Sequence, residues 1–327
     1  MPASIPTLED PETGRQRMQR HLVHIGYHKT ATTWFQAEVY PRVANARFLD
    51  PRTVRATFLA DSALKFDPGA ARQSLGLTDT PAVICEESLS GDIQNGGLWG
   101  CLSKDLGDRL HRTLGEADVV IVLRHQVDMI AACYKQYLRN GGTHRPHRYM
   151  FPGDYRKGAY RRPQRLPLFS LDHFEYAPLI AWYQQLFGAE RVHVFLYEDV
   201  KADPPGFLRD FATRFGLDLD PAAVSPAPRH PSYGRGTVPL ARLVNRFCDR
   251  SVVDKTCWLN LLGNRHRKAM LERLNHLPAL GAPINNDALL GPDLIACIRR
   301  HYAASNTRLA QDLDLPLARH GYPLTEV

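Results

Sequence analysis

The sequence of 327 residues has no apolar run long enough to cross a lipid bilayer. Its longest aliphatic run, VVIVL at 119–123, is far shorter than the roughly 20 residues that a membrane-spanning helix needs. The N-terminal residues are polar and lack the apolar segment of a signal peptide, so we expect 1–19 to form a flexible leader. These absences predict a cytoplasmic protein without an integral membrane segment.

Cysteine and histidine spacings typical of metal sites are also missing. Several cysteines lie in apolar runs, and no two are separated by two residues, which predicts reduced, mostly buried thiols rather than disulfides or a zinc site. His21 and His24 alternate to opposite faces of a predicted strand, so no metal site is expected there either. The six cysteines are Cys85, Cys101, Cys133, Cys248, Cys257 and Cys297.

What the sequence does have is a globular composition with an excess of positive charge. Hydrophobic residues make up 44% and charged residues 23%, which excludes a mainly disordered chain. The net charge of +7 and the pI of about 9.1 favour an anionic partner. A nucleotide, a nucleic acid, a membrane surface and an acidic substrate all satisfy that condition.

Short apolar runs alternate with helical patterns along the first two thirds of the chain. Such alternation predicts an α/β fold in which helices flank a parallel β-sheet. The predicted strands are 21–26, 82–85, 118–123 and 191–197, with a shorter fifth candidate at 46–49. The predicted helices include Thr32–Tyr40, Lys104–Leu114, Met129–Arg139, His173–Phe187 and Pro204–Phe215.

Two stretches interrupt this alternation. Residues 140–166 form a long predicted loop rich in Arg, Tyr, Gly and Pro. Such a loop either recognises an anionic or sugar acceptor, closes over a nucleotide, or is a solvated basic segment. The turn-rich segment 225–239 precedes a mostly helical C-terminal part at 237–327. We predict a single domain over 20–327, with this helical part as an elaboration of it.

The segment after the first strand has the composition of an anion-binding loop. Ligands of open parallel sheets bind at the carboxyl ends of strands, where the following helices point their N-termini. Between Gly26 and Thr33 the chain offers backbone N–H groups, the Lys29 ammonium and three hydroxyls, on Thr30, Thr32 and Thr33. The alternative is a Thr-capped helix start beside a surface lysine.

This loop differs from the phosphate-binding loop of nucleoside triphosphatases, G-x-x-x-x-G-K-[ST]. Tyr27 and His28 stand where the glycine before the lysine would be. The third predicted strand ends in Arg124 and not in a magnesium-binding aspartate. A Mg²⁺-dependent nucleoside triphosphatase is therefore disfavoured.

The loop sequence GYHKTATTWFQ resembles the 5′-phosphosulfate loop of sulfotransferases that use 3′-phosphoadenosine 5′-phosphosulfate, usually written K-[ST]-G-T-T-W. Ala31 replaces the family glycine, and its methyl group is tolerated at negative φ but strained at positive φ. The resemblance implies that Lys29 lies at the bridging oxygen of the donor. Trp34 either stacks on adenine, as in family members, or is a core aromatic. The implied donor-binding loop comprises Gly26, Lys29, Thr30, Ala31, Thr32, Thr33 and Trp34.

The stretch VVIVLRHQVDMIAACYKQYLRNGG at 119–142 resembles the second signature of this family, which holds the 3′-phosphate. Arg124 matches the family arginine, although a structural ion pair is the alternative role for it. Ala132 stands where the family has a serine. Segments 173–211 and 301–323 resemble bacterial members, and Arg235 lies where such members often return a loop to the nucleotide. The resemblance implies the P-loop-like sulfotransferase fold.

An acceptor hydroxyl needs a base, and two candidates lie near Lys29 in the predicted fold. Glu86 and Glu87 follow the strand 82–85 at the same sheet edge, and strand alternation favours Glu87. The alternative is that one Glu pairs with Lys29 or Arg124 and transfers no proton. His28 is the rival base.

The sequence therefore predicts a sulfotransferase that moves a sulfuryl group from 3′-phosphoadenosine 5′-phosphosulfate to a hydroxyl or amine, without a metal. The acceptor is a small molecule, sugar, lipid or peptide, and the basic loop suits an anionic one. Nucleic acid is not expected as a partner. The alternatives are a P-loop-type kinase and a non-catalytic nucleotide-binding protein on a degenerate sulfotransferase fold.

Overall fold

The computed structural model describes residues 18–78, 80–151, 168–226, 232–248, 255–261 and 263–325. Within these ranges the strands are β1 (His21–Gly26), β2 (Arg47–Phe48), β3 (Ala82–Cys85), β4 (Ala117–Leu123) and β5 (Val192–Leu196). The helices are α1 (Thr32–Trp34), α2 (Pro51–Leu59), α3 (Pro68–Ser74), α4 (Cys101–Leu114), α5 (Gln126–Arg139), α6 (Pro146–Met150), α7 (Tyr176–Phe187), α8 (Tyr197–Ala202), α9 (Pro204–Phe215), α10 (Thr237–Val244), α11 (Asn264–Asn275), α12 (Pro278–Gly281), α13 (Asn286–Leu290) and α14 (Pro292–Leu313). None of these helices has both the length and the apolarity needed to cross a membrane.

The five strands form one parallel sheet in the order β2-β3-β1-β4-β5. β1 lies in the centre and is completely buried, as its neighbours β3 and most of β4 are. Buried parallel strands have apolar side chains on both faces, which explains why the runs in the sequence are nearly continuous. The predicted α/β fold with a parallel sheet is confirmed, and β1 and β3 have the predicted bounds.

The chain divides into two compact units, each assembled from three segments. Unit 1 takes its residues from 1–93, 101–124 and 178–228, and it contains the whole sheet. Unit 2 takes its residues from 94–100, 125–177 and 229–327, and its described part is helical and irregular. Residues 1–17 of the predicted leader and 152–166 of the predicted basic loop lie outside the described residues. The single domain over 20–327 stays a prediction.

The core of unit 1 is aromatic on one face of the sheet. The ring of Phe35 packs at 5.4 Å from Tyr40 and 5.7 Å from Phe211, centroid to centroid. Leu22 and Val120 of the sheet belong to the same cluster. Each such side chain contributes roughly 1.5–3 kcal/mol by leaving water. This packing fixes the helical run after β1 against the sheet, and it thereby sets the position of the loop between them.

Unit 2 is organised around the C-terminal end of α5. The last carbonyls of a helix have no partner within the helix, and here side chains supply donors. The Asn245 amide donates to the Leu138 carbonyl at 2.9 Å, and the Arg267 guanidinium donates to the Arg139 carbonyl at 3.0 Å. Arg267 also donates to Asn245 and is only 1% exposed. A buried cation at a helix C-terminus interacts favourably with the helix dipole.

His24 is a buried histidine in the centre of the sheet. Its Nδ1 lies 2.9 Å from the Tyr40 hydroxyl, and its ring meets the edge of Phe35 at 4.8 Å. Burial lowers the pKa of His24 from the ordinary 6.5 to about 3. His24 is therefore a neutral core residue in the folded protein, which accounts for its place in a strand that is otherwise apolar.

The low pKa of His24 makes folding sensitive to acid. The unfolded chain takes up a proton near pH 6.5, whereas the folded chain does so near pH 3, so stability falls as the pH drops between these values. We expect His24→Gln to reduce this slope by up to about 1.4 kcal/mol per pH unit in urea titrations from pH 7 to 5. Phe35→Leu, which alters the packing against the same ring, should lower stability without changing the slope. An unchanged slope in His24→Gln would contradict this assignment.

Candidate active site at the carboxyl edge of the sheet

Three loops of unit 1 meet at one edge of the sheet because β3, β1 and β4 are neighbours and run parallel. The loop after β1 carries Lys29, the loop after β3 carries Glu87, and Arg124 directly follows β4. This edge is the place where open parallel sheets bind ligands. The structure thus brings together three side chains that are 37 residues or more apart in the sequence.

Gly26 makes a close approach between two of these loops. Its φ is +96°, a value that side chains rarely tolerate. A Cβ atom at this position would lie 3.3 Å from the His28 nitrogen and 3.4 Å from the Cα atom of Glu87. Glycine therefore allows the end of β1 to lie directly against the Glu87 backbone.

Ala31 occupies a left-handed backbone conformation, with φ of 67° and ψ of 14°. It caps a continuous helical run from α1 through a π-helical segment at Phe35–Val39 to a 3-10 turn at Tyr40–Arg42. Its carbonyl accepts hydrogen bonds from the amides of Trp34 and Phe35, at 2.8 and 3.1 Å. Of the two conformations that the sequence left open for Ala31, the structure has the strained one, which costs roughly 1–2 kcal/mol.

The three threonines of the loop differ in what they face. Thr30 and Thr32 are buried, and both hydroxyls donate to the carbonyl of Tyr27, Thr32 at 3.4 Å. Thr33 is exposed. Two of the three predicted hydroxyl donors therefore stabilise the loop itself, and the third belongs to an exposed residue.

Arg124 joins the loop after β1 to the loop after β4. Its Nη1 donates to the Lys29 carbonyl at 2.9 Å, and its guanidinium lies 4.8 Å from the ring centroid of Tyr197. Arg124 is half-buried. This contact holds the Arg124 guanidinium directly beside the loop that carries Lys29.

The adjacent carboxylates differ in their surroundings. Glu86 is completely buried, and Arg55 donates to both of its oxygens at 3.0 and 2.9 Å. The amide of Ser88 donates to Glu86 as well, at 3.0 Å. Glu86 is therefore occupied by structural contacts, whereas Glu87 is partly exposed at the sheet edge. These contacts favour Glu87 as the carboxylate available for chemistry.

The electrostatic environment of Glu87 includes both signs of charge. Burial is the largest effect and raises the pKa of Glu87, opposed by the nearby Lys29 ammonium. The Glu86 carboxylate raises this pKa further, and Arg55 lowers it. A carboxyl group with a raised pKa is a better proton acceptor at neutral pH than an ordinary one.

The Ser90 hydroxyl connects His28 to the backbone of Glu87. The Nδ1 atom of His28 is 3.5 Å from the Ser90 hydroxyl, which donates to the Glu87 carbonyl at 2.8 Å. Ser103 donates to the Ser90 carbonyl at 2.8 Å, which fixes this turn. Both candidate bases therefore lie at one corner of the site.

Sequence reasoning missed Arg55 and Ser90. Arg55 lies on α2, 31 residues before Glu86, and no local pattern links the two. Ser90 could have been noticed as a hydroxyl three residues after Glu87, in the turn that ends the segment. Their contacts depend on how α2 and this turn pack on the sheet, which sequence spacing does not give.

Trp34 is a core residue in the structure. It is 3% exposed, its ring packs against Phe35 at 5.2 Å, and its indole N–H donates to the Ser225 carbonyl at 2.8 Å. Of the two alternatives that the sequence left open, the structure favours the core aromatic over the adenine-stacking residue. The indole donor is satisfied, as buried tryptophans require.

Two predicted donor-binding residues belong to unit 2. Ala132 is partly exposed on α5, next to the buried Cys133. Arg235 is exposed, and its amide donates to the Ala282 carbonyl at 2.8 Å. Their contacts with a nucleotide stay predictions.

Among the described residues, one group of side chains has the composition of a metal site. Asp172, Glu175 and His301 of unit 2 have ligand atoms within 4.8 Å of one another. All three are exposed or partly exposed, and Nε2 of His301 is 4.0 Å from Asp172. Exposed groups of this kind are common without an ion, and Lys29, Glu87 and Arg124 are not part of this group.

The positive φ of Ala31 predicts that glycine fits this position with less backbone strain. We expect Ala31→Gly to leave the free energy of unfolding unchanged or raise it by up to about 1 kcal/mol, since relief of strain offsets the greater freedom of the unfolded chain. The control is Ala56→Gly on the exposed side of α2, which should lower it by about 0.5–1 kcal/mol. Urea denaturation of both variants measures the difference. Equal losses would show that Ala31 is not strained.

No protein-family model and no curated protein matches this chain. It is similar to the crystal structure of a sulfotransferase from Alicyclobacillus acidocaldarius, with a TM-score of 0.47 and 17% identity, over 64% of this chain and 85% of that one. Mouse sulfotransferase SULT7A1 in complex with PAP gives a TM-score of 0.43 and 13% identity, over 93% and 90%. The sulfotransferase domain of the curacin biosynthetic pathway gives 0.38 and 12%, over 80% and 99%. All three structures are sulfotransferases, the family that the sequence motifs resemble.

Proposed function

We propose that the protein is a sulfotransferase that moves a sulfuryl group from 3′-phosphoadenosine 5′-phosphosulfate to a hydroxyl or amine of an acceptor. The observation that carries this proposal is the meeting of Lys29, Arg124 and Glu87 around one loop at the carboxyl edge of the sheet. Two cations suit a donor with two anionic ends, and a partly buried carboxylate suits an acceptor that must lose a proton.

The proposed donor site uses the start of the helical run after β1. Backbone N–H groups there, together with the positive end of the helix dipole, stabilise the 5′-phosphosulfate. Lys29 adds a full charge, and the exposed Thr33 adds a hydroxyl. Arg124 is proposed to bind the 3′-phosphate.

The proposed reaction is an in-line displacement at sulfur. The acceptor oxygen forms a bond to sulfur while the bond between sulfur and the bridging oxygen breaks, and the leaving group departs as 3′-phosphoadenosine 5′-phosphate. The acceptor proton passes to the Glu87 carboxylate. Lys29 stabilises the negative charge that develops on the bridging oxygen. His28 is the alternative proton acceptor.

Isothermal titration calorimetry with 3′-phosphoadenosine 5′-phosphate is the experiment that tests the donor. We expect binding at least tenfold tighter than that of ATP with Mg²⁺ or of a DNA oligonucleotide. Preference for ATP would favour a kinase, and no bisphosphate binding would overturn the proposal. Tight bisphosphate binding without turnover would favour the non-catalytic alternative, which the alanines at positions 31 and 132 keep open.

Lys29→Ala should lower kcat by at least about 10²–10³-fold, because the charge on the leaving oxygen loses its main counter-ion. The assay follows release of the bisphosphate from the sulfated donor with p-nitrophenol, a monosaccharide and a long-chain alcohol as acceptors. Lys65→Ala, at an exposed lysine of the same unit, is the matched control and should keep full activity. Undiminished turnover in Lys29→Ala would exclude the proposed role of this lysine.

Glu87→Gln should lower kcat by about 10²–10⁴-fold and leave bisphosphate binding unchanged. In the wild type, kcat should fall as the pH drops through the raised pKa of Glu87, since the protonated carboxyl accepts no proton. This acid limb should be absent in Glu87→Gln and present in His28→Gln. The opposite pattern would assign the base to His28.

A further inference from the structure

We propose that an exposed face of unit 2 docks on an anionic lipid surface. Its apolar part, here called the Trp258 patch, consists of Trp258, Leu259 and Leu261. The inference does not rest on the proposed sulfotransferase activity, because it uses other residues and its test measures lipid binding alone.

The Trp258 patch presents large apolar side chains to solvent. Trp258 is 54% exposed, Leu259 is 58% exposed and Leu261 is 69% exposed. Isolated exposed leucines are ordinary, but a tryptophan and two leucines exposed within four residues concentrate apolar surface in one short segment, and concentrated apolar surface marks interaction sites.

The backbone of the patch is anchored, so the exposure of its side chains is a feature of the fold. The amide of Trp258 donates to the Arg246 carbonyl at 2.7 Å, and the amide of Leu261 donates to the Phe247 carbonyl at 3.0 Å. The indole ring meets the edge of Phe247 at 5.7 Å. The patch is thereby held against the 3-10 turn Asn245–Phe247 with its leucines directed outward.

One cation contacts the patch, and exposed cations follow the patch in the sequence. The Arg246 guanidinium lies 4.5 Å from the Trp258 ring centroid. Arg265 lies four residues after Leu261, and Lys268 lies one helical turn further on α11, both exposed. The described residues of 232–272 include seven Lys and Arg, of which Arg267 is buried, and one acidic residue, Glu272, which pairs with Arg139.

An anionic bilayer satisfies both properties of this face. Leucine side chains gain free energy by entering hydrocarbon, whereas a nucleic acid or a polysaccharide offers them little apolar contact. Tryptophan is favoured at the boundary between headgroups and acyl chains, and lysine and arginine are attracted by anionic headgroups. A second copy of the chain is disfavoured because its equivalent face would bring like charges together.

Vesicle sedimentation tests this inference. The wild type should bind vesicles of phosphatidylglycerol and phosphatidylcholine in equal parts, and binding to pure phosphatidylcholine should be at least about tenfold weaker. The double variant Leu259→Asp, Leu261→Asp should lose at least about tenfold in partitioning to the anionic vesicles, as should Arg265→Glu, Lys268→Glu. Both pairs are exposed, and circular dichroism should show unchanged folding.

The matched control is Leu64→Asp, at a leucine of unit 1 that is 99% exposed, and it should bind like the wild type. Vesicle binding that is absent in the wild type, or equal in the patch variants and the control, would overturn the proposal. The proposal would also be overturned if light scattering showed that the wild type and the control are dimers and the patch variants are monomers. The patch would then be an interface between two copies of the chain.

Discussion

The parallel pairing of β1 with both β3 and β4 is the constraint on which the site depends. Strands that are neighbours and parallel end at the same edge, so three loops that are distant in sequence become adjacent. The hydrogen bond from Arg124 to the Lys29 carbonyl then joins two of these loops directly. The aromatic packing around Phe35 holds the helical run behind the first loop.

Burial and neighbouring charges give the ionisable groups of unit 1 different protonation behaviour. Glu86 lies in the interior and is neutralised by Arg55, whereas Glu87 lies one residue further along the chain with the Lys29 ammonium near it. His24 is buried beside the neutral Tyr40 hydroxyl, and burial lowers its pKa so that the ring is uncharged in the folded state. Residues of the same type thus have structural or chemical roles according to the polar groups that the fold places beside them.

The loop after β1 combines rigidity with strain. Gly26 has a positive φ that side chains rarely adopt, while Ala31 adopts a left-handed conformation that glycine would adopt at lower cost. The hydroxyls of Thr30 and Thr32 stabilise the loop through the Tyr27 carbonyl. A loop held in this way presents backbone donors in a fixed arrangement, which is the property that anion binding needs.

Three features could be predicted from the residues alone: the strands, the parallel sheet, and the presence of Lys29, Glu87 and Arg124 at its carboxyl edge. These features follow from apolar periodicity and from the rule that parallel strands end together, both of which are local or topological. Three other features are seen only in the folded protein: Trp34 is a core residue, Glu86 is paired with Arg55, and Ala31 has positive φ. Each of these depends on packing between segments distant in sequence or on a backbone angle, and a residue pattern specifies neither.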